Sequence, residues 1–485
     1  MNKYLTDFEI PQEELTLREG TALSNIDGRL WGEVGANVAA YLSDEAMVRA
    51  RIGVEARYLI ALSEYGIVRK LKNSEKDLLL NIHQKLDKTQ YQNLRKVEAN
   101  VRHDVMVMIQ IMKNLLKKEN ILEDVIENWI HWGLTSFDVD DTAKACLIQN
   151  MIRKVYLPEA GRLLTNLADL AEKTKNTVIP AKTHLQPAVP TTLGKEVALF
   201  GMRLCEQLEF IKNTKLRGKL TGAVGTLAAH KAVFPNIDWI KFSKNFIESL
   251  GLEANLYTTQ IEQKEKLVEI FSKIHLVNTI LVDLSQDMRL MIGFDWLAQE
   301  VKDVEIGSSA MPQKVNPIDF ENAQGNGYFS NWILEGLIRY LPVSWLQRDL
   351  TDKTILRNIG LPFGHAIITL ISTSKGIKRV IPNIAKINKD LKENWGIISE
   401  GLQTYMRSLG IPDAYNSLKK LARGRQLTKK HILFWIENLD INNEEKEILR
   451  QITPQNYTGY AKENTSEMIR YIRKVEKLIS KIYEA

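Results

Sequence analysis

The sequence predicts a mostly α-helical protein, three helical domains with a long central helical bundle. Three observations carry this prediction. Long segments repeat apolar residues every three or four positions, alternating apolar and polar runs are scarce, and the composition, 44% hydrophobic and 26% charged, is that of a globular protein. The 485 residues suffice for about three domains at roughly 150 residues each. Their boundaries are placed at 1–126, 127–377 and 378–485.

In chain order, a long helical pattern first runs from Asp141 to Leu170, where Pro158 is expected to kink the helix or open a new first turn. The next covers Leu193 to Lys215, after Pro187 and Pro190, with Thr191 or Thr192 as its N-cap. The clearest spans Gln263 to Ile292. There Leu267, Ile270, Ile274, Val277, Leu281, Leu284, Met288 and Met291 follow one another at alternating intervals of three and four, a heptad seam. Phe271, Ile280, Val282 and Leu290 add apolar positions outside the seam, which puts this helix in the middle of a bundle. Ile318 to Leu341 and Gly364 to Arg379 supply two more helices, while the Lys/Glu-rich stretches 70–88 and 442–450 read as solvated helix faces.

Charge and cysteine usage exclude several function classes. Lys+Arg 65 against Asp+Glu 59 leaves a net charge of +6 without any block of one sign, so nucleic acid is not the expected partner. Cys146 and Cys205 are too few for a disulfide framework and have no metal-ligand spacing, which fits a reducing compartment. Residues Met1 to Glu14 contain no apolar leader, and no stretch approaches the roughly 18 uninterrupted apolar residues of a membrane span. A cytoplasmic protein without a membrane partner is expected.

Three segments between helices are too polar and too rich in Gly and Pro to be core. The first is 307–317, Gly-Ser-Ser-Ala-Met-Pro-Gln-Lys-Val-Asn-Pro, in which Lys314 brings a point charge, Asn316 an amide donor and the serines hydroxyls. On composition alone, an ordinary connection between helices is the stronger reading. The others are Thr135-Ser136-Phe137-Asp138 and Thr183-His184-Leu185-Gln186-Pro187.

Together, and in their order along the chain, the three segments resemble the signature blocks of the fumarase/aspartase superfamily, lyases that release fumarate from succinyl adducts. The nearest branch is the bacterial-type adenylosuccinate lyases, which are also resembled by Arg102-His103-Asp104-Val105, Gly222-Ala223-Val224-Gly225, the stretch from Tyr257 to Glu262, the stretch from Asn316 to Asn322 and Gln347-Arg348-Asp349-Leu350-Thr351-Asp352. The resemblance implies a carbon–nitrogen lyase of purine biosynthesis acting on a succinylamino nucleotide. It needs no cofactor and no metal, and works as a homotetramer whose shared active sites draw on three chains. The heptad helix is expected to serve that four-fold bundle.

Site residues follow from the resemblance. Ser308 is the base and His184 the acid, for which an imidazole titrating near pH 6.5 is suited. Lys314, Asn316, Thr135, Ser136, Thr183 and Gln186 hold the substrate carboxylates and the charge that builds on them. Arg29, His103, Asp104, Gln260, Arg348, Lys353 and Arg357 face the nucleotide and its phosphate; Arg29 is the arginine least embedded in a motif. Ser309 reads as a loop hydroxyl bonded to backbone, and His83, His131, His230, His275, His365 and His431 as structural.

Five positions depart from the branch: Leu185 for glycine, Lys353 for serine, Leu30 for tyrosine, Phe137 for a polar residue, and Gln313, which is more similar to argininosuccinate lyases. Leu185 is expected to reshape the pocket. Lys353 is expected to add a charge at the phosphate or to block the usual pose. A paralogue acting on another aspartate adduct, and a nucleotide-binding scaffold without turnover, are the alternative readings.

Overall fold

The computed structural model describes residues 7–11, 15, 21–119, 122–301, 311, 313–422 and 426–483. Ser43 opens the first long helix, α1 (Asp44–Glu64), by accepting a hydrogen bond from the Ala46 amide at 3.2 Å. Helix α1 is buried on nearly every side, and its buried residues include Arg49, Arg51, Glu55 and Arg57. These charges break the apolar periodicity, so the sequence does not announce a core helix here. Helices α2 (Lys88–Val101) and α3 (Asp104–Lys117) follow, separated only by Arg102 and His103. Arg102 ends α2 in left-handed backbone at φ +57°, and His103 caps α3.

Helix α4 (Ser136–Met151) runs through a π-turn, Ile152–Tyr156, into α5 (Leu157–Thr174). The expected break at Pro158 therefore takes the form of a π-turn just before it. The Leu157 amide bonds the Ile152 carbonyl, one residue further back than in an α-helix, and Pro158 falls in the first turn of α5. A hairpin follows, β1 (Val178–Thr183) antiparallel to β2 (Gln186–Thr192), where the sequence had shown only a polar segment. Its prolines 180 and 190 face each other across a two-stranded sheet that is all edge, where proline is tolerated.

Helix α6 (Leu193–Asn213) has Thr192 as its cap, with Thr192 Oγ1 accepting from the Lys195 amide at 3.2 Å. Then come α7 (Glu265–Gly293), α8 (Ile318–Tyr340), α9 (Thr351–Leu356), α10 (Gly360–Arg379) and, among shorter C-terminal helices, α11 (Ala461–Tyr483). Helices α7, α8 and α10 agree closely with the periodicity, which had not announced α9 or α11, and the mostly α fold stands. Leu267, Ile270, Ile274, Val277, Leu281, Leu284 and Met288 are all buried in the chain's own core, so the seam is not left over for a partner chain. Exposed apolar side chains lie instead on α8, at Tyr328, Phe329 and Trp332.

Among the described residues, the one stretch long and apolar enough to cross a membrane is Thr351–Arg379, and 61% of its most apolar window is buried within the protein. Such burial is that of a core helix. The chain forms two compact units. One comprises Met1–Pro158, Phe210–Asn278 and Asn326–Ile368; the other comprises Glu159–Glu209, Thr279–Gly325 and Thr369–Ala485.

Candidate active site

In the first unit, three of the candidate residues, Thr135, Gln260 and Arg348, gather around one buried ion pair. Thr135 caps α4, and its amide donates to Asp138 Oδ2 at 2.9 Å. Asp138 Oδ1 accepts from Lys219 Nζ at 2.7 Å, the Thr221 amide at 2.9 Å and the Gly222 amide at 3.2 Å. Lys219, wholly buried, also donates to the Gly222 carbonyl at 3.3 Å and the Gln260 carbonyl at 2.8 Å. Every donor and acceptor of this pair is used, the condition under which a buried ion pair is tolerated. The pair ties together the start of α4, the Gly222–Gly225 turn and the segment around Gln260. Gly225, at φ +76°, is indispensable to this packing because a Cβ there would lie 1.8 Å from the Thr258 carbonyl oxygen.

On this frame Gln260 meets Arg348. Gln260 Nε2 donates to the Ala223 carbonyl at 3.0 Å, and Oε1 accepts from Arg348 Nη1 at 3.0 Å. The Arg348 guanidinium stacks 4.2 Å from the ring centroid of the buried Phe137. Phe137 thus has a role as the platform that orients Arg348. Neither Asp138 nor Lys219 was assigned from sequence. A threonine three residues before an aspartate at a helix start was the available signal for Asp138; nothing local marks Lys219, which lies between the buried residues Leu216 and Leu220.

His103 Nδ1 accepts from the Met106 amide at 3.3 Å, an arrangement that assigns the proton to Nε2 on an exposed ring. Asp104 and Lys353, expected at the phosphate, are directed at each other, 2.7 Å apart. Lys353 also reaches Asp140 at 3.2 Å, and Arg51 bridges Asp104, at 3.1 Å, and Asp140. Lys353, expected to add a charge at the phosphate or to block the usual pose, is thus engaged by the fold: a buried ammonium must be paired, and two buried carboxylates pair it. Burial favours the neutral acid of Asp104, but Arg51 and Lys353 outweigh it and hold its pKa far below the usual carboxylate value. Arg357 stands at the edge of this cluster, half exposed and 3.9 Å from Asp104. Together with Lys144, the three cations Arg51, Lys353 and Arg357 line a cavity of about 210 Å³. Arg29 is exposed and joins neither group by a hydrogen bond or ion pair among the described residues.

In the second unit, His184 and Leu185 form the two-residue turn between β1 and β2, with Thr183 opposite Gln186. Both have positive φ, +53° and +60°, the conformation of a type I′ hairpin turn. Thr183, His184, Leu185 and Gln186 are all exposed, so the expected acid is displayed at a hairpin tip. Leu185 occupies a position that favours glycine for its backbone. Lys314 and Gln313 are exposed, and the Lys314 amide bonds the Met311 carbonyl at 3.1 Å in a turn leading to α8. Asn316 is half-buried just before α8. Ser308 lies outside the described residues, as does Ser309.

The histidines treated as structural are engaged by the fold. His83 donates from Nε2 to the Asp7 carbonyl at 2.8 Å, and His230 Nε2 lies 2.9 Å from Tyr58 Oη; burial lowers the pKa of each to about 4. His131, in left-handed backbone at φ +60°, is held by Glu55 through both its amide and Nδ1, at 3.1 and 2.5 Å. The loop before Thr135 is anchored by that clamp.

A family model described as lyase matches residues 34–328, and one described as adenylosuccinate lyase C-terminal matches residues 344–458. The chain is 38% identical to an adenylosuccinate lyase of Dictyostelium discoideum, over 92% of this chain and 98% of that one. It is 36% identical to an adenylosuccinate lyase of Escherichia coli K12, over 91% and 97%. Among solved structures, a 3-carboxy-cis,cis-muconate lactonizing enzyme from Pseudomonas putida shares the fold at a TM-score of 0.73 and 20% identity, over 91% of this chain and 98% of that one. A fumarate lyase from Mesorhizobium sp. BNC1 does so at 0.71 and 16%, over 89% and 97%. The chain belongs to the adenylosuccinate lyase family of the fumarase/aspartase superfamily.

Proposed function

We propose that this protein eliminates fumarate from adenylosuccinate to give AMP, and from the succinyl-aminoimidazole carboxamide ribotide to give its carboxamide. The observation that supports this reading is the 3.0 Å contact between Gln260 and Arg348 over Phe137, which brings together the two side chains that the family resemblance assigns to the heterocycle and to the phosphate. Family membership supports the reaction type.

The chemistry follows from the residue types. Ser308 takes a proton from the carbon next to a carboxylate, and the electron pair moves onto that carboxylate as an aci-dianion. Lys314 and Asn316 stabilise the added charge, a contribution of about 3–4 kcal/mol for one preorganised donor. Thr135 and Ser136 receive a substrate carboxylate at the start of α4, where the helix dipole favours an anion. The C–N bond then breaks, His184 gives the nitrogen a proton, and fumarate and the amine leave. Thr183 and Gln186 flank His184 as further carboxylate donors, His103 offers Nε2–H on the nucleotide side, and Arg29 reaches the phosphate in the assembled protein.

The exposure of the His184 hairpin and of Tyr328, Phe329 and Trp332 supports a homotetramer with shared active sites. A cytoplasmic location and the division at 126/127 and 377/378 belong to the same reading. The test is to mix pure protein with adenylosuccinate, its imidazole-carboxamide counterpart and argininosuccinate, and to follow fumarate. Release from the first two supports the proposal. Release from argininosuccinate alone assigns the protein to another aspartate adduct, and release from none makes it a scaffold.

A further inference from the structure

The cluster formed by Arg51, Asp104, Asp140 and Lys353 is balanced in charge, with two cations and two carboxylates. All four are nearly buried, with side-chain exposures of 6, 12, 0 and 11% in that order. It joins α1, α3, α4 and α9. Lys353 contributes the contacts at 2.7 and 3.2 Å, and Arg51 supplies the others. Arg357 is one turn along from Lys353, half exposed and only 3.9 Å from Asp104. Lys144, the other cation near Asp140, makes no ion pair among the described residues, and burial lowers its pKa.

Removing the ammonium of Lys353 would leave Arg51 as the one remaining ion-pair partner closer than 3.9 Å to Asp104 and Asp140 among the described residues, and the four-residue cluster short of one positive charge. Such an imbalance is costly in this environment and draws in the nearest mobile cation. Arg357 is that cation, and its capture by Asp104 would take it from the position in which it faces solvent.

We propose that Lys353 is a positioning residue, one that neutralises Asp104 and Asp140 so that Arg357 stays available to the phosphate of the substrate. Lys353 itself then makes no phosphate contact. This inference rests on the nucleotide reading given above and adds a residue to it. It also predicts a specific rescue: Asp140→Asn removes the surplus charge that Lys353→Ser exposes.

The test is calorimetric titration of AMP into wild type, Lys353→Ser, Asp140→Asn and the double variant, with kcat and KM measured on adenylosuccinate. Lys353→Ser should weaken AMP binding and raise KM tenfold or more with kcat within threefold, the pattern of lost uniform binding. Asp140→Asn should bind AMP at least as tightly as wild type. The double variant should return to within threefold of wild type, and Lys353→Arg, which keeps the charge, should match it. A double variant as weak as Lys353→Ser would overturn the proposal, because Lys353 would then be touching the phosphate itself. Undiminished binding by Lys353→Ser would also overturn it. If Lys353→Ser does not fold, the charge-balanced double variant decides alone, since a tenfold loss there has the same meaning. Failure of the reaction reading is separate: it shows as wild type that binds AMP and releases no fumarate.

Discussion

His184 and Leu185 turn the chain together, at φ +53° and +60°, so the expected catalytic acid shares its two-residue hairpin turn with a leucine in a backbone conformation that leucine rarely adopts. Left-handed backbone costs a residue with a Cβ roughly 1–2 kcal/mol, and here the cost falls next to the imidazole expected to act as the acid. Non-glycine residues in this region persist where the surroundings enforce them.

The first prediction concerns that strain. Leu185→Gly should raise the thermal midpoint by about one or two degrees, the relief of strain being partly offset by about 0.5–1 kcal/mol of glycine flexibility. Leu185→Asn should do the same more weakly, and Leu185→Val should lower the midpoint. Scanning calorimetry of the three variants checks this order; a Val variant as stable as the Gly variant would show that the turn is not strained.

The Asp138–Lys219 pair should be far more demanding. Removing either charge leaves the other buried without a counter-ion, at about 3–5 kcal/mol. Asp138→Asn and Lys219→Met should each lower the midpoint by several degrees, while the double variant should lose less than the sum. Additive losses would mean that the two side chains act independently.

Acid should destabilise the fold through His83 and His230. Both have a folded pKa of about 4 because burial opposes their charge, and in each ring Nδ1 is buried without a partner. The folded values lie below the unfolded value of 6.5, so the unfolded chain takes up protons first. Each contribution is therefore complete above pH 6.5 and is lost as pH falls from 6.5 towards 4, to the extent of about 3 kcal/mol per histidine. His131 runs the other way. Burial opposes its charge, but Glu55 outweighs burial and raises its pKa, so its contribution is full below pH 6.5 and fades as pH rises through the folded value. Unfolding midpoints at pH 7 and pH 5 should fall towards acid, and a midpoint that rises towards pH 5 would contradict the dominance of His83 and His230.

The helical bundle was legible because its long helices each bury a periodic face: the seven seam residues from Leu267 to Met288 are all in the core. Helix α1 was not, because Arg49, Arg51, Glu55 and Arg57 interrupt its apolar pattern, and their burial depends on partners distant in sequence. The same reason hid Lys219 and the pairing of Lys353 with Asp104 and Asp140, since those partners are distant in sequence. Thr135, Gln260 and Arg348 were named only through the family resemblance, Thr135 for a carboxylate and the other two for the nucleotide. That Gln260 and Arg348 touch depends on the turn at Gly225.

Sharing of sites between chains predicts complementation. Ser308→Ala and His184→Ala should each lose two or more orders of magnitude in kcat. Mixing the two inactive proteins under conditions that exchange subunits should restore part of the activity, because some mixed sites then receive both native residues. No recovery after verified exchange would mean that each site draws Ser308 and His184 from one chain.

The central claim is tested most directly by kcat/KM for fumarate release from adenylosuccinate, measured beside argininosuccinate with wild-type protein. The account predicts a value within the ordinary enzyme range of about 10⁴–10⁸ M⁻¹s⁻¹ for adenylosuccinate and at least a thousandfold less for argininosuccinate. Equal values, or a preference for argininosuccinate, would contradict it.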